Sequence, residues 1–227
     1  MKAVILAAGK GTRLQPLTLE TPKPLIEVAG RPIIERIFTS LPSDIDEVII
    51  VVEHLKDKIK HHLGAHFLGK SVLYVDQGNI RGTFGALLSA RNFLYGEERF
   101  LVLNGDDLHS EEEFVECLSY PRALGVAHRV MPNYYSIIVD DKGYVESFRP
   151  QTEEEKKEGV LVATGTYVLD TYIFEHPGVV VNGGEYGLPQ SVFAQMKNYP
   201  LRAVMAKNWI PINSLLELER ANKIVLG

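Results

Sequence analysis

The sequence predicts an α/β fold, a doubly wound and mostly parallel sheet with a small substrate-binding β/α subdomain. Three observations carry this. Short apolar runs alternate with segments of helical period through the first half of the chain, the pattern of strands joined by crossover helices. A glycine-rich loop follows the first run and an acidic pair follows the fourth, and ligands of such sheets bind beyond the carboxyl ends of the strands. No Gly/Ser linker and no internal repeat divides the 227 residues, so one domain spanning 1–227 is expected.

In order, Val4 to Leu6 is an apolar run ended by glycine, as for a strand buried on both faces. Arg31 to Leu41 has apolar residues at helical spacing, with Pro32 near its start, where proline is tolerated. Glu47 to Val52 reads as a second buried strand, Leu55 to Leu63 as a polar helix and Ser71 to Val75 as a third strand. Gly82 to Leu94 reads as a helix. Arg99 to Asp107 is a fourth strand, ending in acid. The second half turns strand-like over 123–131, 134–148 and 160–170, with Asp140 to Gly143 as a turn. Short helices are expected near Tyr172 and Leu188, and a last one over Ser214 to Val225.

Hydrophobic residues make up 45% and charged residues 23%, a soluble globular balance with material for a core. The net charge of -5 argues against a nucleic-acid binder, which would carry a basic stripe. Cys117 is the only cysteine, so no internal disulfide can form, which suits a reducing compartment. The N-terminus reads as a buried strand and not a signal peptide. No run approaches the ~20 apolar residues of a membrane span. A cytoplasmic location without a membrane partner is expected.

The loop "GKGTR" admits three readings. A dinucleotide fingerprint would need glycine where Leu14 stands, and a P-loop would need lysine after the second glycine, not between the two. The third reading fits better. Gly9 and Gly11 let backbone N–H groups turn towards a phosphate chain. Arg13 can fork onto phosphate oxygens. Pro22 and Pro24 fix φ on either side of Lys23, so a stiff, extended segment should deliver its charge to one place. The plain alternative is a glycine turn with solvated charges.

The stretch "LAAGKGTRLQPLTLETPKPLIEVAGRPII", Leu6 to Ile34, resembles the signature of the sugar-1-phosphate nucleotidyltransferases. The resemblance extends more loosely over nearly the whole chain. It implies a Rossmann-like nucleotidyltransferase core, with residues 1–120 holding nucleotide and 121–227 the acceptor. It implies that a sugar 1-phosphate attacks the α-phosphorus of a nucleoside triphosphate in line, so that catalysis is positioning and charge neutralisation. Leu6, Ala7, Ala8, Gly9, Gly11, Thr12 and Arg13 match the nucleotide and triphosphate loop. Lys23 matches the lysine that draws in the sugar phosphate. "LNGDD" resembles the family's strand-end G-D. Asp106 is then a Mg²⁺ ligand and Asn104 lies beside the sugar phosphate, while Asp107 is expected to cap the helix near Ser110. "DQGNIRGTFGA" resembles the base-reading segment. Gln77, Gly82 and Thr83 match it at the spacing of uridylyl- and thymidylyl-transferring members, although a flipped Gln amide would admit other bases.

The chain departs from the family at the acceptor side. Where the family has E-K-P, this chain has "SFRP", so Phe148 replaces the sugar-binding Glu and Arg149 takes the place of Lys. "ATG" keeps Gly165 but has Ala163 for Asn, and "GGEYGLPQ" keeps Glu185 but loses Thr-Asp. Pro211 stands where most relatives carry a second metal-binding Asp. The segment "INSLLELER" resembles that of acetylglucosamine-type enzymes, which makes Asn213 the candidate second ligand, or only a helix cap.

The resemblance thus implies Mg²⁺ as cofactor, and a nucleoside triphosphate (UTP or dTTP favoured) and a sugar 1-phosphate as small-molecule partners. A homo-oligomer is left open, and no hexapeptide β-helix is expected after Gly227. Two other readings stand: a CTP-dependent enzyme acting on phosphocholine or another phosphorylated alcohol, and a weakly active homologue that binds nucleotide sugar as a regulatory subunit. His54, His61, His62 and His66 read as a solvated face rather than a metal cluster. Glu153 to Glu158 reads as an exposed loop or helical turn, Glu111 to Glu113 as acids at a helix N-terminus, and Cys117 and Trp209 as packing.

Overall fold

The computed structural model describes residues 1–226. Its central sheet contains β1 (Lys2–Ala7), β2 (Glu47–Val52), β3 (His66–Phe67), β4 (Lys70–Asp76), β5 (Phe100–Asn104), β6 (Ala123–Arg129), β9 (Val160–Leu169) and β10 (Arg202–Met205). Between these come β7 (Tyr135–Val139) and β8 (Val145–Pro150), a separate antiparallel arm. The strand order is β10-β6-β9-β5-β1-β2-β4-β3. The four strands β5, β1, β2 and β4 are mutually parallel, so their carboxyl ends lie on one edge. In the second half β9 runs antiparallel to both β5 and β6, and β10 is parallel to β6.

Period-two alternation sorts the strand residues onto two faces. Ala3, Ile5, Val48, Ile50 and Val52 pack with α1 (Ile33–Ser40), α2 (Lys56–Leu63), α4 (Glu111–Leu118) and α7 (Leu215–Leu226). Val4, Ile49 and Val51 pack with α3 (Thr83–Ser89) and α6 (Leu188–Phe193). The sheet is therefore covered on both sides, as the near-continuous apolar strands require. Each fully buried Val or Ile contributes roughly 1.5–3 kcal/mol. Cys117 lies in this core, where burial pushes its thiol well up.

Some elements differ from expectation. The helix expected over 82–94 stops at Ser89, and a 3-10 turn, Arg91–Phe93, then brings Leu94 back into the core. The edge strand β3 has no clear signal in the sequence. It pairs with β4 through the two-residue turn Leu68–Gly69, in which both residues have positive φ. Leu-Gly is a poor signal for such a turn. Glu155–Glu158 is one helical turn, α5, and the helix near Tyr172 is a 3-10 turn, Thr171–Phe174. The turn at 140–143 is as expected: Asp140 Oδ1 accepts from the N–H groups of Lys142 and Tyr144, and Gly143 has φ 81°.

Two helix starts bear on the site. Ser110, not Asp107, caps α4, its hydroxyl accepting from Glu113 N at 3.4 Å. At α7, Ser214 Oγ accepts from Glu217 N, and the Glu217 carboxylate accepts from Asn213 N at 2.7 Å. This reciprocal pair leaves the Asn213 side chain free of capping duty.

Candidate active site

Loops from the carboxyl ends of β1, β2, β4 and β5 meet Val181, Glu185 to Gly187, Gln190 and Asn213 around one cleft of about 1320 Å³. That exceeds the roughly 300–1,000 Å³ that usually holds a single ligand, so there is room for two.

The first wall is the loop after β1. Leu6, Ala7, Ala8, Gly9, Gly11, Thr12 and Arg13 all line the cleft. Gly11 has φ 62°, and a Cβ there would lie 2.9 Å from the Thr18 methyl and 3.2 Å from Lys23 Cβ. The buried Thr18 hydroxyl donates to Gly11 O at 2.9 Å, and Leu14, wholly buried, anchors the turn. Thr18 therefore organises this loop, a part that loop composition alone does not disclose. Gly9 is different: it is not in the left-handed region, and a Cβ there would meet open space. Only Gly11 needs glycine for its conformation.

The cations come next. Residues 23–25 form a 3-10 turn rather than the extended segment expected. Pro22 is extended and Pro24 sits inside the turn, where its missing N–H costs nothing. The turn buries Lys23 to 7% exposure and sets its Nζ 2.5 Å from Asp106 Oδ2. Arg13 Nη2 donates to Asn213 Oδ1 at 3.0 Å. The two cations thus hold the two candidate metal ligands, brought together from opposite ends of the chain. Asp106 and Asn213 both line the cleft and offer hard oxygen atoms. Mg²⁺ favours such a sparse set, because it keeps waters and takes its remaining ligands from phosphates. Among the described residues no group of three or more His, Cys, Asp or Glu could hold a metal.

Asp107 is a buried structural acid. Its carboxylate accepts from Trp209 Nε1 at 3.3 Å and from Ile212 N at 3.4 Å, which ties the strand end to the segment leading to Asn213. Burial first, then the neighbouring Asp106 charge, push its pKa up to about 7. Trp209 is thus a hydrogen-bond donor as well as packing. Glu113 also differs from expectation. It turns inward to accept from the Thr164 hydroxyl at 2.9 Å and to pair with His109 Nδ1 at 3.0 Å, both side chains being buried. Gly125 makes the room, since a Cβ there would lie 2.4 Å from Thr164 Oγ1.

The segment from Gln77 to Thr83 lies opposite. Gln77 Nε2 donates to the carbonyls of Ile80 at 2.9 Å and Gly82 at 3.0 Å. Flipping the amide would set its oxygen against both, so the nitrogen is committed and the oxygen is the atom available to a ligand. Gly82 has φ 93° and touches the far wall: Tyr186 N donates to Arg81 O at 2.8 Å, and a Cβ on Gly82 would sit 2.4 Å from Tyr186 O. Thr83 Oγ1 accepts from Leu188 N at 2.8 Å, so its hydroxyl joins the two loops.

On the acceptor side Asn104 and Glu185 line the cleft, whereas Arg149 and Gly165 do not. Arg149 makes a bidentate pair with Glu155 at 2.6 and 2.8 Å, and this bond holds the Glu155 carboxyl down to about 2. Phe148 stacks between Tyr135 and Phe193, with ring centroids 4.2 Å apart in each pair. Gly165, at the register shift of β9, lets the strand lie against Asn104, whose Nδ2 would be 2.2 Å from a Cβ. Three of the four histidines, His61, His62 and His66, are exposed as expected, and His54 departs from that reading. His54 lines the cleft and contacts Thr18 O at 3.1 Å, while His62 pairs with Glu35 at 2.8 Å. The sequence reading also missed Tyr134 and Gln190, which line the cleft from the far half of the chain.

A doubly wound sheet with a glycine loop, two convergent cations and a strand-end acid at the carboxyl ends of its parallel strands marks the class of α/β protein that binds ligands at that edge. The family model for nucleotidyl transferase matches residues 2–198, and the chain belongs to that family. The chain is 30% identical over 230 residues to the bifunctional protein GlmU of Methanocaldococcus jannaschii, covering 100% of this chain and 54% of that protein. It is 28% identical over 252 residues to a UTP–glucose-1-phosphate uridylyltransferase of Synechocystis, covering 100% of this chain and 64% of the relative. A UDP-glucose pyrophosphorylase solved with UDP-glucose superposes with a TM-score of 0.83 at 19% identity, covering 99% of this chain and 98% of the other, and so shares the fold. The chain spans about half the length of the GlmU relatives it matches.

Proposed function

We propose that this chain transfers a nucleotidyl group from UTP or dTTP to a sugar 1-phosphate in the cytoplasm, yielding a nucleoside-diphosphate sugar and pyrophosphate. The observation that carries the reading is the paired arrangement Lys23–Asp106 and Arg13–Asn213 beside the glycine loop. An acceptor phosphate oxygen attacks the α-phosphorus, the bond from the α-phosphorus to the bridging oxygen breaks, and pyrophosphate leaves. The backbone at Gly11 and the Arg13 guanidinium receive the triphosphate. Lys23 neutralises the acceptor phosphate so that two anions can approach. As phosphates draw Arg13 and Lys23 away, the oxygens of Asn213 and Asp106 are freed. Asp106 and Asn213 would hold Mg²⁺, which would supply further charge neutralisation. The fixed oxygen of Gln77 complements the N3–H of uracil or thymine.

A second reading keeps the reaction and changes the substrates to CTP and a phosphorylated alcohol. It is favoured by one observation, that Phe148 and Arg149 stand at the family's sugar-contact positions yet lie away from the cleft. In either case no membrane partner is proposed; among the described residues no helix is long and apolar enough to cross a membrane.

Pyrophosphate release with Mg²⁺, measured over five nucleoside triphosphates and a panel of sugar 1-phosphates plus phosphocholine, tests both readings. UTP or dTTP with one sugar phosphate is the expected pair. Release with CTP and phosphocholine would select the second reading, and silence throughout, with no thermal stabilisation by any triphosphate, would overturn both. In the same assay Gln77→Ala is expected to flatten the preference among bases, and an unchanged preference would remove Gln77 from base recognition.

A further inference from the structure

We infer that the Glu53 carboxylate accepts a hydrogen bond from the ribose 2′-hydroxyl of the donor nucleotide, and so selects ribonucleotides over deoxyribonucleotides, UTP over dTTP. This rests on the reading of Gln77 as base partner and of the glycine loop as triphosphate site, and it narrows that reading to one nucleotide.

Sheet register sets three groups in a row. Ala7 pairs with Val52 and Val52 with Asp76, so Ala8, Glu53 and Gln77 leave β1, β2 and β4 side by side. Gln77 N donates to Val52 O at 3.0 Å, which keeps the last two strand ends together. Leu6, Val51 and Val75 pack on the face covered by α3 and α6. Two residues further along each chain, the period of two brings Ala8, Glu53 and Gln77 to that same face. Adjacent strands lie about 4.8 Å apart, so Glu53 leaves the sheet roughly 5 Å from Gln77 on one side and from Ala8 on the other. A nucleotide with its base at Gln77 and its phosphates at the loop after β1 lays its ribose over β2, between them. Glu53 lines the cleft at that point.

The chemistry fits the sugar and not the base. An ionised carboxylate can only accept. Uracil and thymine flank N3–H with two carbonyl oxygens, so the base has no second donor to offer it. Ribose hydroxyls are donors, and a hydrogen bond to a charged acceptor is stronger than a neutral one. An acid downstream of the glycine loop serves the ribose 2′-OH in dinucleotide-binding sheets for the same reason. The carboxylate is also uncommitted. Lys56 and Lys60 pair with Asp76 at 2.7 and 3.6 Å, Lys58 donates to Glu20 O, and among the described residues no protein donor reaches the Glu53 side chain. Its backbone, by contrast, is held. The Thr18 carbonyl can only accept, so His54 Nε2 donates to it at 3.1 Å, and Leu55 takes a positive φ of 52° at the start of α2.

The test is isothermal titration calorimetry of the full chain with Mg²⁺ and UTP, dUTP, CTP or dCTP, for wild type and Glu53→Ala. UTP and dUTP differ only in the 2′-hydroxyl. The Glu53 charge repels both triphosphates alike, so the ratio of their affinities isolates the hydrogen bond. Wild type is expected to bind UTP roughly tenfold or more tightly than dUTP. Glu53→Ala is expected to bind the two equally, with an unchanged melting temperature, since the side chain has no protein partner to lose. Equal binding of UTP and dUTP by wild type would overturn the inference. So would a preference for UTP that survives in Glu53→Ala. Tighter binding of CTP than of UTP would overturn the base reading alone, and the ratio of CTP to dCTP would then decide the inference by the same criteria. Failure of all four to bind would overturn both.

Discussion

Lys23→Ala is expected to lower turnover by about 10²- to 10³-fold, the usual cost of deleting one preorganised charge from a transition state. It should also have an opposite effect on the free protein. The Lys23 ammonium occupies Asp106 Oδ2 at 2.5 Å, so removing it exposes a carboxylate to cations. Mn²⁺ should then bind the nucleotide-free variant more tightly than it binds wild type. Lys23→Arg is not expected to rescue turnover, because the 3-10 turn delivers a compact point charge into a nearly closed space and the guanidinium is planar and larger. Turnover undiminished in Lys23→Ala would end the catalytic assignment.

Gly82→Ala is expected to be the most damaging change to the cleft wall. The residue lies at φ 93°, and a Cβ would come within 2.4–2.9 Å of the Tyr186 backbone, which cannot yield as a side-chain tip could. At φ 93° and ψ 173° Gly82 lies in an extended region that is essentially glycine-only, and its backbone penalty of about 1–3 kcal/mol adds to an overpacking penalty of about 1–3 kcal/mol. The melting temperature should fall markedly, and triphosphate binding, if the proposed role of this segment holds, should weaken with it because the loop around Gly82 is pushed off Tyr186. Gly78 is the internal control. It also has positive φ, at 71°, but a Cβ there would meet nothing within 4 Å, so Gly78→Ala should carry the backbone penalty alone. If the two variants melt together, the contact with Tyr186 is unimportant.

The parts of the fold that were legible are those governed by local period. Ile5, Ile49, Leu101 and their neighbours alternate between two faces, and the sequence pattern reports that directly. The glycine loop and the strand-end acid were legible because topology alone sends both to one edge. What was not legible depends on distant partners. By its place in the sequence Arg149 resembles a phosphate ligand, but Glu155 takes it in a bidentate pair that local pattern does not disclose. Asp107 is adjacent to a helix and so reads as a cap, yet its donors are Trp209 and Ile212, from the far end of the chain. Glu113 sits in a first turn and reads as a dipole partner, while the space left by Gly125 draws it inward. Tyr134 sits among apolar and turn residues that give no chemical signal, and only its approach to Asn213 marks it out.

The place of β9 in the sheet bears on how the chain is made. The apolar strand β5 is wholly buried from Phe100 to Leu103, yet one of its two neighbours, β9, is synthesised only after all of residues 105–159. At about 5–20 residues per second on the ribosome, that edge stays unpaired for several seconds in the emerging polypeptide. An unpaired apolar edge is a template for wrong partners. Strands from before and after residue 120 therefore belong to one sheet. A fragment cut near residue 120 would keep the glycine loop, Lys23 and Asp106 but expose the flank of β5, so dissection of this protein should proceed by point substitution in the intact chain.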